Sequence, residues 1–101
     1  MARLMIVPLE ALGDAVLIVS QQAGFELIGY VTISTFAAMM HAEVSGNECI
    51  ALVERNLTQF EGIILRKAQT NDDARHIPFV EITERDLSSV DIDLTRRHRL
   101  H

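Results

Sequence analysis

Four consecutive pieces decide the fold: Cys49-Ile50-Ala51-Leu52-Val53, then Glu54 to Phe60, then Glu61 to Thr70, then Ile77-Pro78-Phe79-Val80-Glu81-Ile82-Thr83. The first is an apolar run between polar residues, the pattern of a strand buried on both faces as in a parallel sheet. The second reads as a loop, the third as a helix and the fourth as another strand. A helix between two such strands makes a βαβ unit, whose crossover is right-handed. In open α/β sheets, ligands and chemistry gather beyond the carboxyl ends of the strands. That rule places Glu54 and Thr83 on one rim.

Outward from this unit, Leu4-Met5-Ile6-Val7 reads as a short first strand, ended by Pro8, which cannot donate to a ladder. Leu9 or Glu10 to Ala23 reads as the first helix, with Gly24 as its stop. Leu12, Ala15, Val16, Val19 and Ala23 form its core stripe at helical spacing. Leu17 and Ile18 lie off that stripe, as further buried surface or as a partner face. A second strand runs from Leu27 or Ile28 to Ile33, with Gly29 as an irregularity. Ser34 or Thr35 suits the N-cap of the next helix, which extends from about Phe36 to Glu43 or Val44 and presents Phe36, Met39, Met40 and Val44. Ser45-Gly46-Asn47 is a turn. Past Thr83, Val90-Asp91-Ile92-Asp93-Leu94 alternates as a half-buried edge strand does, and the basic stretch from Thr95 to His101 is a frayed tail. The expected organisation is one domain over 1–94 and a tail over 95–101.

Composition narrows the class. The chain has 101 residues, enough for one small domain. It is 49% hydrophobic but only 5% aromatic, so the core is expected to be aliphatic. A net charge of −5 argues against a nucleic-acid surface over the whole domain. One cysteine, Cys49, excludes an internal disulfide framework and fits a reducing compartment. No signal peptide and no run of about 18 apolar residues is apparent, which makes the cytoplasm the default location and a membrane partner unexpected.

Leu52-Val53-Glu54-Arg55-Asn56-Leu57-Thr58-Gln59-Phe60-Glu61-Gly62, Ile63-Ile64-Leu65-Arg66-Lys67 and His76-Ile77-Pro78 through Thr83 together resemble the receiver domain of two-component response regulators. The resemblance implies a flavodoxin-like α/β fold with a parallel sheet in the order 2-1-3-4 and a possible short fifth strand. It implies that Glu54 occupies the phosphoacceptor aspartate position and Thr83 the phosphate-sensing position. The paired acids that hold magnesium in the family fall on Pro8 and Leu9, with Glu10 directly after them. The family's fifth-strand lysine has no visible equivalent. Acyl phosphate chemistry needs a carboxylate nucleophile, a divalent cation and a fixed positive charge, and only a carboxylate and the Thr83 hydroxyl survive. The 18 residues after Thr83 are too few for a helix, a strand and a helix, so the fold is minimal, part of a longer design, or completed by a swapped second copy.

The function expected from this reading is a receiver-like signal-transduction module of the phosphorelay type. It would not be phosphorylated, would have no catalytic residue, metal or cofactor, and would act by protein–protein contact. Glu54 would act as a permanent acid there, with one charge against roughly two for a phosphate. The expected partners are a histidine kinase, a regulator or a second copy in a homodimer. The alternatives are a conventional phospho-accepting receiver rescued by Glu10, and a truncated transcription regulator, since Leu94-Thr95-Arg96-Arg97-His98-Arg99-Leu100 resembles the opening of a LuxR-type DNA-binding bundle. Metal binding by His98 and His101, and phosphate contact by Arg96, Arg97 and Arg99, are weaker readings. His41 and His76 fit surface or capping roles.

Overall fold

The computed structural model describes residues 2–22, 25–70 and 79–94. The elements run β1 (Ala2–Leu9), β2 (Gly13–Gln22), β3 (Phe25–Thr32), α1 (Ile33–Met40), α2 (Gly46–Arg55), α3 (Leu57–Thr70), β4 (Phe79–Glu81) and α4 (Glu84–Ser88). The α/β class is as expected. The sheet is not the parallel 2-1-3-4 arrangement: its order is β1-β2-β3-β4, with β1, β2 and β3 antiparallel and β4 parallel to β3. The parallel pair does have a helical crossover, but it runs from β3 through α1, α2 and α3 to β4.

Four segments change type. The stretch from Leu9 to Ala23 is not a helix; its described part is the β1–β2 turn and the strand β2. Val16 and Ile18 face the helices, while Ala15 and Val19 lie on the other side and are buried too. A strand buried on both sides loses its two-residue alternation, so helical spacing in its apolar residues carries no information. Cys49 to Val53 is not a strand but the body of α2. Ser45 caps that helix by accepting from the Glu48 N–H at 3.1 Å, while the Glu48 carboxylate accepts from the Ser45 N–H at 3.0 Å. Cys49, Leu52 and Val53 then fall at helical spacing and are all buried. The residues expected to loop from Glu54 to Phe60 continue this helix and begin α3, with Asn56 between them. Val90 to Leu94 forms no strand, although Val90, Ile92 and Leu94 pack half-buried against the core.

The main core cluster of the described residues lies on one side of the sheet. Val16, Ile18, Leu27, Val31, Val80 and Ile82 meet Phe36 of α1, Leu52 and Val53 of α2, and Phe60, Ile63 and Ile64 of α3. The Phe36 and Phe60 rings sit 6.2 Å apart and tilted by 41°, within the range of favourable aromatic pairs. Gly29 is no irregularity: it pairs regularly with Ile18 and Val80. A Cβ there would stand 2.6 Å from Ile64 Cγ1, so its missing side chain lets α3 lie on β3.

The β1–β2 turn closes with a bond from the Leu12 N–H to the Leu9 carbonyl at 3.2 Å. Its third residue, Ala11, has φ 73°, a left-handed conformation that costs an L-residue about 1–2 kcal/mol. Ala11→Gly should therefore raise stability by about 1 kcal/mol, read from the urea midpoint. Gly29→Ala should lower it by about 1–3 kcal/mol through overpacking. Adding Ile64→Ala to Gly29→Ala should cost clearly less than the two single changes summed, because both act on one space.

Candidate functional site

The residues proposed for a phosphorylation rim do not share one. Glu54 is exposed near the end of α2, so it does not stand at a strand terminus. Thr83 lies after β4 and is the N-cap of α4. Its Oγ1 donates to Asp86 Oδ2 at 3.0 Å and accepts from the Asp86 N–H at 3.3 Å, while the Thr83 N–H donates to the same carboxylate at 2.9 Å. Pro8 is paired opposite Asp14 near the end of β1, Leu9 is its last residue, and Glu10 is exposed in the following turn. His41 is the C-cap of α1 with φ 55°. His76, His98, His101, Arg96, Arg97 and Arg99 lie outside the described residues. Among the described residues no group of three or more His, Cys, Asp or Glu side chains can hold a metal ion.

Other polar side chains, which sequence reasoning passed over, form the ties between elements. Lys67 of α3 donates to Asp86 Oδ2 and to the Glu81 carbonyl, both at 2.6 Å. Partial burial disfavours the Asp86 carboxylate, but the bonds from Lys67 and Thr83 outweigh it and hold the group below its ordinary value of 3.8. Asn56 is buried; its Nδ2 donates to the carbonyls of Leu52 and Asp93 at 2.8 and 2.9 Å, and its Oδ1 accepts from the Asp93 N–H at 2.8 Å. Arg55 adds an ion pair to Asp93 at 3.4 Å. Ser20, fully buried on β2, donates to Glu61 of α3 at 2.8 Å. Thr83-x-x-Asp86 is a readable capping signal. Asn56 and Asp93 are 37 residues apart and give none. The Cys49 thiol, pushed up to about 11 by burial and then by Glu48, is a poor nucleophile at neutral pH.

Among the described residues no helix packs on the sheet face turned away from the core cluster, although Ala15, Val19 and Thr32 on that face are buried. The register lines up Met5, Leu17, Tyr30 and Glu81 in one row, Val7, Ala15 and Thr32 in the next, and Arg3, Val19 and Ile28 in another. Met5, Val7, Leu9, Leu17, Ile28 and Tyr30 do not join the core cluster. Met5 is 39% exposed and Leu12, at the turn, 49%; these are the large apolar side chains most open to water among the described residues. Between them Leu9, Glu10, Leu12, Leu17 and Tyr30 line an open hollow of about 410 Å³. Burial and then the neighbouring Glu81 carboxylate raise the Tyr30 phenol above 10.0, so it stays a hydrogen-bond donor at neutral pH. Leu17, already read as off-core apolar surface, belongs here; its neighbour Ile18 belongs to the core. A second groove, of about 590 Å³, runs along Ile33, Ser34, Ala37, Glu43, Val44, Ser45 and Glu48; its Ser45 and Glu48 are already occupied in capping α2. No helix among the described residues is long and apolar enough to cross a membrane.

No family model, curated protein or solved structure matches this chain.

Two outcomes follow from the Thr83–Asp86–Lys67 geometry. Thr83→Ala should cost about 1 kcal/mol as a lost cap, whereas Glu54→Gln should leave the melting temperature unchanged. A carboxyl with a depressed folded pKa stabilises above its unfolded value, and that contribution disappears as pH falls through the folded one. The parent chain should therefore lose stability on acidification below pH 3.8. Asp86→Asn should be weaker already at neutral pH and flatter below that value, as checked by urea midpoints across an acid series.

Proposed function

We propose that the chain is a regulatory module that works by contact and not by chemistry, and that the bare sheet face is its binding surface. The observation that carries this reading is the row Met5-Leu17-Tyr30 beside the exposed Leu12. Met5 and Leu12 are exposed and Leu17 and Tyr30 half-buried on this face, while Ala15, Val19 and Thr32 beside them are buried. Exposed apolar patches of a few hundred Å², rimmed by polar residues, mark interaction sites. Arg3, Glu10, Glu26 and Glu81 supply such a rim.

The reading also accounts for the polar side chains. Thr83, Asp86, Lys67, Asn56 and Ser20 each serve a cap or a tie between elements. A phosphorelay role would need Glu54 and Thr83 at neighbouring strand ends, and the observed topology gives that role no support. The favoured partner presents an apolar surface with cationic flanks, to match Glu10, Glu26 and Glu81.

Photo-crosslinking residues at Leu12 and at Glu54 test this in cells that make the protein. Leu12 should capture a discrete partner and Glu54 should not, and Leu17→Glu should abolish capture while the melting curve stays cooperative. Capture from Glu54 alone would move the surface to α2. Acetyl phosphate with magnesium should leave the mass of the chain unchanged.

A further inference from the structure

The sheet has two very different edges. At one end β4 has three residues; at the other β1 has eight. Proteins blunt sheet edges by keeping them short, by placing Lys or Pro on them, by bulges or by covering them. β4 is blunted by its length. β1 carries only Arg3 near its start and Pro8 near its end, so Leu4-Met5-Ile6-Val7 is unguarded. Leu4 and Ile6 point to the core side, opposite Ile18 and Val16. Ile18 and Val16 have no exposed surface, yet Leu4 and Ile6 remain half-buried. α2 reaches β1 from that side, since a Cβ on Gly46 would lie 3.3 Å from Ile6. Among the described residues no strand pairs with the outer edge of β1.

We propose that a second copy of the chain pairs with β1 along this edge, antiparallel, about a twofold axis through Met5. In that register Met5 faces Met5, Leu4 faces Ile6, Arg3 faces Val7 and Ala2 faces Pro8 of the other copy. A shift by one residue would turn the two cores to opposite sides, so this register and its two-residue neighbours are the compatible ones. Pro8 falls at the ladder's end, where its missing N–H matters least. Charge selects the direction. Arg3, which pairs loosely with Glu26 of its own copy at 3.7 Å, stands near the start of β1, Glu10 just past its end, and Asp14 opposite Pro8. Antiparallel pairing brings each Arg3 toward the acidic end of the other copy, whereas parallel pairing would set Arg3 beside Arg3. The contact is isologous and closes at two copies, and among the described residues the three-residue β4 offers no comparable edge for growth. The product is one continuous sheet with all helices on one side and both bare faces on the other. This inference rests on the sheet edge and goes beyond the binding-face reading; either can fail without the other.

The test is oxidative crosslinking of the Met5→Cys variant, with the Tyr30→Cys variant as control. Paired residues on the axis lie ~4.5–5.5 Å apart between Cα atoms, which suits a disulfide, and the native Cys49 is buried. Met5→Cys should give a disulfide-linked dimer on a non-reducing denaturing gel, and Tyr30→Cys should not. In parallel, sedimentation of the unaltered chain should show a concentration-dependent dimer. Met5→Lys, which sets like charges opposite each other, should weaken that dimer about tenfold or more with its melting curve still cooperative. Three results overturn the proposal: a monomer at every concentration, no linkage in the Met5→Cys variant, or linkage in the Tyr30→Cys variant as ready as in Met5→Cys. Linkage in the Tyr30→Cys variant alone would mean that the sheets pack face to face.

Discussion

The seating of Ile64 of α3 on the bare backbone of Gly29, where a Cβ would stand 2.6 Å away, governs the layout. β3 is an inner strand, held by β2 on one side and by β4 on the other. With no side chain at Gly29, α3 settles into the middle of the sheet, and Phe60, Ile63 and Ile64 reach Val31, Leu27 and Val80 together. α1 and α2 then have to lie on the same side to complete that core. The meander of β1, β2 and β3 contains no crossover that would carry a helix to the other side. Among the described residues the helices therefore lie on one side because of the connectivity, and the apolar residues of the far side are met by no helix.

Two strands of the first third were legible, and the misassigned stretch between them has a physical source. Leu4 to Val7 and Leu27 to Thr32 read as strands because short β-branched runs between polar residues are hard to mistake, but Ile33 opens α1 and Thr32, not Ser34 or Thr35, caps it. Gly13 to Gln22 did not, because the middle strand of the meander is buried on both sides and shows no alternation. Cys49 to Val53 failed in the opposite sense: a helix buried along one side and only ten residues long holds an apolar run that mimics a strand. The decisive signal was outside the run, in Ser45-x-x-Glu48. The alignment that set Glu54 at a strand end depended on that misreading. Thr83-x-x-Asp86 was equally available as a cap and was read instead as a strand end. The candidate site was legible only through Leu17, since the neighbours that define the face come together through the register of separate strands.

The C-terminal described segment is held by polar bonds as much as by apolar contact. Asn56 ends α2 through the Leu52 carbonyl and binds both backbone groups of Asp93 with what remains of its side chain. A buried amide with one of these partners removed would keep its desolvation cost without compensation, about 1–3 kcal/mol. Val90, Ile92 and Leu94 can pack in an irregular backbone because their neighbour is fixed in this way.

That clamp also gives the molecule a polarity. The anchored segment 90–94 lies against the helical layer, while the hollow beside Tyr30 opens on the opposite side of the sheet. A tether joined at Leu94 would pull on the helical side alone. A molecule immobilised on a solid support in that way would present its sheet to solution in one orientation, so the fold behaves as a plate with a mounting side and a display side.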